Sequence, residues 1–207
     1  MATHETRDRI CEAAIRTASR DGLLAMTLDN VAKEAGISKG GVMYHFPSKD
    51  DLVRGMLEYF GARVEQQVLR QMAADPEPRF RWARSMLTCL FPDPQVAADR
   101  EDPLSPEVMD RFMLAALAAA VNSPGLIEPL RQVGLRLRER LLSDPADGLE
   151  QLLIWLAVDG LFLWQFVGLI RQDEPLYAEI GAALRAKVMT AATSSAAHRA
   201  PTPGESP

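Results

Sequence analysis

The residues with the most obvious chemical potential are Gly36-Ile37-Ser38-Lys39-Gly40, which fit the pattern G-x-S-x-G, with His45 a few positions on. In a hydrolase such a serine sits on a sharp turn between a buried strand and a helix, and a histidine takes its proton. The residues around Ser38 do not build that turn. The preceding stretch, LDNVAKEA, has the pattern of an amphipathic helix and not of an apolar strand. After Ser38 the histidines are His45 and His198, and His198 lies in a polar, Pro-rich tail. Metal chemistry fares no better. There is no HExxH, no histidine has a glutamate three residues before it, and the two cysteines, Cys11 and Cys89, stand far apart. No catalytic residue, no cofactor and no metal site is expected.

The elements that must position any functional group are helices, and the expected fold class is all-α. Period-two runs are absent and 3.6-residue periodicity is widespread. Helices are expected over about 6–20, 28–35, 39–46, 49–74, 79–90, 105–121, 124–142, 145–170 and 175–192, with Pro, Gly and Asp between them. The 207 residues, 47% hydrophobic and 25% charged, suffice for one sizeable core or two small ones. The net charge of −5 advertises no nucleic-acid or membrane partner, so any such site is local. Free cysteines and the charged start MATHETRDRI fit a cytoplasmic protein without a signal peptide. Residues 152–170 are apolar enough to suggest a membrane span. Asp159 at the centre, with Gly160, Gln165 and Gly168, favours a buried helix instead.

Residues 27–49 have the geometry of a DNA-reading unit. Thr27 is placed to cap one short helix and Gly36 to stop it, and Ser38 is placed to cap a second. Two short helices joined by such a turn make a helix-turn-helix. Val42 and Phe46, at i and i+4, would face inward, leaving Lys39, Gly40, Met43 and Tyr44 outward. Gly40 and Gly41 cost helix propensity, about 1 kcal/mol each, but their bare backbone can approach a groove wall. Lys49 falls at the positive end of the next helix, the wrong sign unless an anion such as a DNA phosphate is near; an exposed lysine tolerated there is the alternative. From Lys33 to Lys49 the segment holds three lysines and His45 against one acid, Glu34, a basic patch on an acidic chain.

The stretch TLDNVAKEAGISKGGVMYHFPSKDDLV resembles the DNA-binding domain of the TetR family of bacterial transcriptional regulators, over about residues 6–57. The resemblance rests on the A-x-x-A-G-I-S-K-G spacing, Tyr44-His45-Phe46 and Pro47-Ser48-Lys49. It implies a homodimer with a three-helix head over residues 1–47 and a ligand-binding and dimerisation domain over 48–192; the small, polar, Pro-rich composition of residues 193–207 makes them an expected disordered tail. It also implies that Thr27, Lys39, Gly40, Gly41, Tyr44, His45 and Lys49 contact double-stranded DNA, with Ser38 capping the helix that enters the major groove. Two heads would then meet a palindromic operator.

The expected function is a cytoplasmic repressor, with no membrane partner, released from its operator by a small hydrophobic or amphipathic ligand. Alternatives are a ligand-independent or activating regulator of the same fold, or an all-helical enzyme. In the 152–170 helix, Trp155, Asp159, Phe162 and Phe166 form an aromatic stripe with one carboxylate, suited to a cationic or amphipathic ligand. The same stripe could be core, with Asp159 paired to Arg131 or Arg138, or it could lie in the dimer seam. Gly160, Trp164 and Gly168 suggest a close-packed dimer face. Trp82, Met86, Cys89, Phe112, Met113 and Leu117 are further ligand candidates, and the loop from Phe91 to Pro106 is a candidate entrance.

Overall fold

The structure is a computed structural model and describes residues 2–91, 106–143 and 145–197. Residues 92–105 of the expected entrance loop and residues 198–207 of the tail lie outside the described residues. Among those described, every regular element is helical: α1 (Ala2–Asp21), α2 (Leu28–Ala35), α3 (Lys39–His45), α4 (Lys49–Ala74), α5 (Arg81–Leu90), α6 (Pro106–Asn122), a 3-10 turn (Pro124–Ile127), α7 (Glu128–Leu142), α8 (Gly148–Phe166) and α9 (Pro175–Ala197). The punctuation read in the sequence sets most boundaries. α9 runs to Ala197, past the expected end at residue 192.

The chain packs as two compact units. The first holds α1–α3, α4 up to Leu69, α6, and α7 up to Arg140. Ile10, Ala14 and Ala18 of α1, Val31 of α2, Val42 and Phe46 near α3, and Leu52 and Met56 of α4 share one core. Phe112, Ala116 and Ala119 of α6 belong to the same core, with the Phe112 and Phe60 rings 4.8 Å apart. Two close approaches fix α4 within this unit. At Gly55 a Cβ would collide with the Phe46 ring, and at Gly61 it would lie 2.8 Å from Val133 Cγ2 of α7. Tyr59 Oη donates to Glu12 Oε1 at 2.5 Å, and Arg136 Nη2 to Glu65 Oε2 at 2.8 Å, each tying a second helix to α4.

The second unit holds the end of α4, α5, Leu141–Leu142, α8 and α9. Its polar centre is Asp147. This residue occupies the N-cap position of α8 but makes no side-chain cap bond to its own helix. Its Oδ2 instead accepts from the Phe80 N–H at 2.9 Å, and its Oδ1 accepts from Gln151 Nε2 at 2.7 Å. Gln151 Oε1 accepts from the Ala83 N–H at 3.0 Å. Two of the free amides at the start of α5 are thus satisfied by α8. They hold Phe80, with its buried ring, at the left-handed φ of 54° that enters the helix.

One expectation fails in this unit. The 152–170 segment is not a buried helix: only 22% of its apolar window is covered. By length and composition α8 would suffice to cross a bilayer. It buries Ile154, Val158 and Leu161 and leaves Leu149, Leu153, Leu156, Leu163 and Trp164 exposed. It also stops earlier than expected, at Phe166. Gly168 has φ 73°, and the Leu169 N–H reaches back to the Trp164 carbonyl at 2.8 Å. Gly168 is therefore the left-handed stop of α8 and not a small residue on its packing face.

Candidate nucleic-acid interface and ligand site

Short-range capping builds the head. Thr27 accepts the Asn30 N–H at 3.2 Å and starts α2. Gly36, at φ 67°, ends α2 in the left-handed conformation, and the Ile37 N–H returns to the Ala32 carbonyl at 3.0 Å. Ser38 accepts the Gly41 N–H at 3.1 Å and starts α3. The Ser38 hydroxyl oxygen is therefore occupied as a helix cap. Val42 and Phe46 are buried, while Lys39, Gly40, Met43 and Tyr44 are exposed. Tyr44, 79% exposed, stands edge-on to His45 with ring centroids 5.1 Å apart. A large aromatic held bare on a seven-residue helix suits an external partner better than a core.

The charges of the head are arranged unevenly. Glu34, the acid inside the basic stretch, is held at 3.0 Å by Arg16 and at 3.2 Å by Arg20, which pins α1 to α2. The hydrogen bond from Arg16, aided by Arg20 and opposed by partial burial, holds its carboxyl below the usual range. Its charge is thus spent inside the head. Lys49 donates to the Leu24 carbonyl at 2.8 Å, a bond that anchors the lysine across the turn between α1 and α2. The start of α4 is closed by Ser48 and Asp51: the Asp51 N–H reaches Ser48 Oγ at 3.1 Å, and Ser48 Oγ reaches Asp51 Oδ2 at 2.6 Å. Lys39 pairs with Asp29 of α2 at 2.8 Å. Cys11 is buried in the core, where burial pushes its thiol up to about 12 and leaves it unreactive.

The ligand candidates divide between the two units. Phe112 is wholly buried in the core of the first unit, with Met113 against that core, and Leu117 is exposed. Trp82, Met86, Trp155, Asp159, Phe162 and Phe166 lie in the second unit; the side chain of Cys89 is outside the described residues. There, Trp82 and Trp155 pack with ring centroids 5.0 Å apart. The Trp82 indole N–H is buried without a hydrogen-bond partner. Asp159 keeps more than a third of its surface open, yet partial burial pushes its carboxyl above the usual range, opposed by a hydrogen bond with Trp155. Among the described residues it forms no ion pair, and Arg131 is engaged at 2.7 Å with Glu128.

A cleft of about 630 Å³ lies elsewhere, in the first unit, between α4 and the start of α7. Arg54, Glu58, Glu128, Gln132 and Arg136 are on its rim and Leu126 is in its lining; none of the ligand candidates borders it. Mixed charges on two distant segments read in a sequence as two solvated faces, so nothing there marked this cleft.

Comparison with known proteins places this geometry. Residues 10–56 match the model of bacterial regulatory proteins of the tetR family, and residues 80–189 match the tetracyclin repressor-like C-terminal domain. The chain belongs to the TetR family. It is a DNA-binding transcriptional regulator of that family, with an N-terminal helix-turn-helix and a helical C-terminal domain. It is 27% identical over 167 residues to the HTH-type transcriptional repressor KstR of Rhodococcus jostii, covering 80% of this chain and 73% of that protein. A TetR-family regulator from Rhodococcus sp. superposes with a TM-score of 0.63 at 20% identity, covering 91% of this chain and all of that one. The multidrug binding protein EbrR, solved with malachite green, superposes with a TM-score of 0.55 at 24% identity, covering 86% of this chain and 96% of that one. In TetR-family terms α1–α3 form the head and α3 its recognition helix. The N-terminal match begins at Ile10, the first residue of the core of the first unit, and stops at Met56 within α4.

Proposed function

We propose that the protein is a cytoplasmic homodimeric repressor, released from a palindromic operator when a small hydrophobic or amphipathic ligand binds its C-terminal domain. The observation that carries this reading is α8. One stripe of the helix is buried, and most of what stays exposed is leucine, tryptophan and phenylalanine, with Glu150 and Asp159 among them. A contiguous apolar surface of that kind marks an interaction face. A second copy of the same helix supplies a self-complementary cover, as a two-fold dimer requires. Trp155 and Asp159 give the helix a further property. An aromatic pair with one unpaired carboxylate receives an aromatic cation through ring stacking and charge. Dimerisation sets two heads on two half-sites, where Tyr44, His45 and Lys49 serve to hold phosphates and Thr27 is a further DNA contact.

The test is a gel shift on the DNA flanking the protein's own gene, repeated with malachite green, an aromatic cation. The expected result is a specific complex, relieved by the dye in the wild type. In Asp159→Asn the complex forms normally but is relieved only at dye concentrations about tenfold higher. Arg54→Gln, in the other cleft, should respond as the wild type does. Absence of any specific shift sinks the repressor reading. A dye response that depends on Arg54 and not on Asp159 moves the ligand to the cleft between α4 and α7.

A further inference from the structure

The recognition helix poses a problem of its own. Its outer face offers exposed Gly40, Met43 and Tyr44 and half-buried Gly41, which carry few groups able to hydrogen-bond a base edge. The polar pair nearest that face is formed by Lys39, the first residue of α3, and Asp29, in the first turn of α2. Lys39 Nζ donates to Asp29 Oδ2 at 2.8 Å, and the two side chains are 53% and 56% exposed. An exposed pair of this kind contributes little to folding. A bare carboxylate on a surface that meets phosphates also weakens binding to every sequence alike. The acid inside the neighbouring basic stretch, Glu34, avoids that cost by turning inward to Arg16 and Arg20. Asp29 does not turn inward.

What the pair presents is a donor and an acceptor 2.8 Å apart. The major-groove edge of a G·C pair presents the complement. Guanine O6, an acceptor, lies beside cytosine N4, a donor, and the two are held about 2.9 Å apart by their own base-pair hydrogen bond. Lysine on guanine O6 and N7, and aspartate on cytosine N4, are each favoured pairings. We propose that Asp29 and Lys39 act as one reading unit for a single G·C base pair in each half-site, Lys39 taking the guanine and Asp29 the cytosine. Asp29 is thereby a specificity-determining residue, although it lies outside the recognition helix. The inference rests on the DNA-binding reading of the head. It also explains how a glycine-rich recognition helix can select a sequence.

The experiment is selection from a random duplex library with the full-length wild type, Asp29→Ala and Lys39→Ala, each first checked for an unchanged melting transition. Asp29→Asn, which keeps the volume and one acceptor oxygen, is included in case the alanine variant fails to fold. The wild type should enrich half-sites with one G·C pair that both alanine variants lose together. Each should lose about tenfold or more in discrimination at that position and little elsewhere. The double variant should lose no more than either single one. Asp29→Asn should keep the preference for that pair in part, since its oxygen still accepts from cytosine. If Asp29→Ala raises affinity for all sequences equally and leaves every preference unchanged, the carboxylate is only a brake on phosphate binding and the inference is overturned. Relaxation at two different positions overturns it equally. If the wild type enriches no sequence at all, the specific DNA-binding reading fails, and this inference fails with it.

Discussion

Gly40→Ala separates the folding role of the recognition helix from its DNA role. A Cβ built on Gly40 meets only Ser38 Oγ, at 3.9 Å, which is ordinary van der Waals contact. The position has no positive φ, so alanine fits the backbone without strain. In the free protein the substitution should therefore help: glycine is about 1 kcal/mol worse than alanine inside a helix, and somewhat less in a first turn. Nothing in the head itself asks for glycine here. If the residue exists so that the backbone can meet a groove wall, the added methyl enters space that DNA occupies. Overpacking of one methyl costs about 1–3 kcal/mol, and a dimer meets that cost twice. Operator affinity should then fall by roughly 30-fold or more, since 1.4 kcal/mol is tenfold. The assays are urea denaturation for the free protein and fluorescence anisotropy on the operator. A stabilised variant that binds its operator within twofold of the wild type would refute the close-approach argument.

Further substitutions test the rest of the frame. Glu34→Gln should flatten the loss of stability at acid pH. The native carboxyl is held below its unfolded value of about 4.3, so its contribution is complete above that pH and fades as pH falls through the lower folded value. Urea midpoints of wild type and variant measured across that range should converge, and parallel curves would reject the assignment. Asp147→Ala strands the Phe80 N–H and the Gln151 side-chain amide, and it removes a charge whose side chain is only 1% exposed, beside Arg79. A cost of about 3 kcal/mol is expected in chemical denaturation; a cost within about 0.5 kcal/mol would mean that water replaces the carboxylate. Leu153→Glu with Leu156→Glu should leave helicity by circular dichroism intact and convert a dimer to monomers in sedimentation velocity. An unchanged sedimentation coefficient would move the dimer face away from α8.

What was legible in the sequence follows from the range of the forces involved. Thr27, Gly36 and Ser38 act on amides or carbonyls within five residues, so residue type and spacing suffice to place them. The inward pair Val42 and Phe46 follows from the helical repeat in the same way. Contacts between distant residues are not encoded so locally. The Lys39–Asp29 pair spans ten positions and the Asp147–Phe80 bond spans 67, and neither leaves a periodic trace. Phe112 shows the same limit from the apolar side. Its spacing marks a face of α6 but not whether that face meets a ligand or, as found, Phe60 in the core of the first unit.

The same reasoning explains why the sequence of α8 suggests a buried helix. A hydropathy pattern reports that a residue avoids water, not what shields it. Core, membrane and partner subunit all satisfy the same run of leucine, phenylalanine and tryptophan. The folded chain narrows the choice. Ile154, Val158 and Leu161 are covered within the chain, while Leu149, Leu153, Leu156 and Leu163 are not. A lipid-facing helix has no use for Asp159 among those leucines, with its carboxyl already raised by partial burial. The proposed surface, which meets a copy of itself and admits a cation beside Trp155, would account for both the leucines and the carboxylate. Uncompensated at neutral pH, that carboxylate lowers stability, because its folded pKa is raised and stability is lost as pH rises through it. Asp159→Asn should therefore leave the free protein as stable as the wild type or more so at pH 7, while weakening its response to malachite green. A residue kept only for structure would do the reverse.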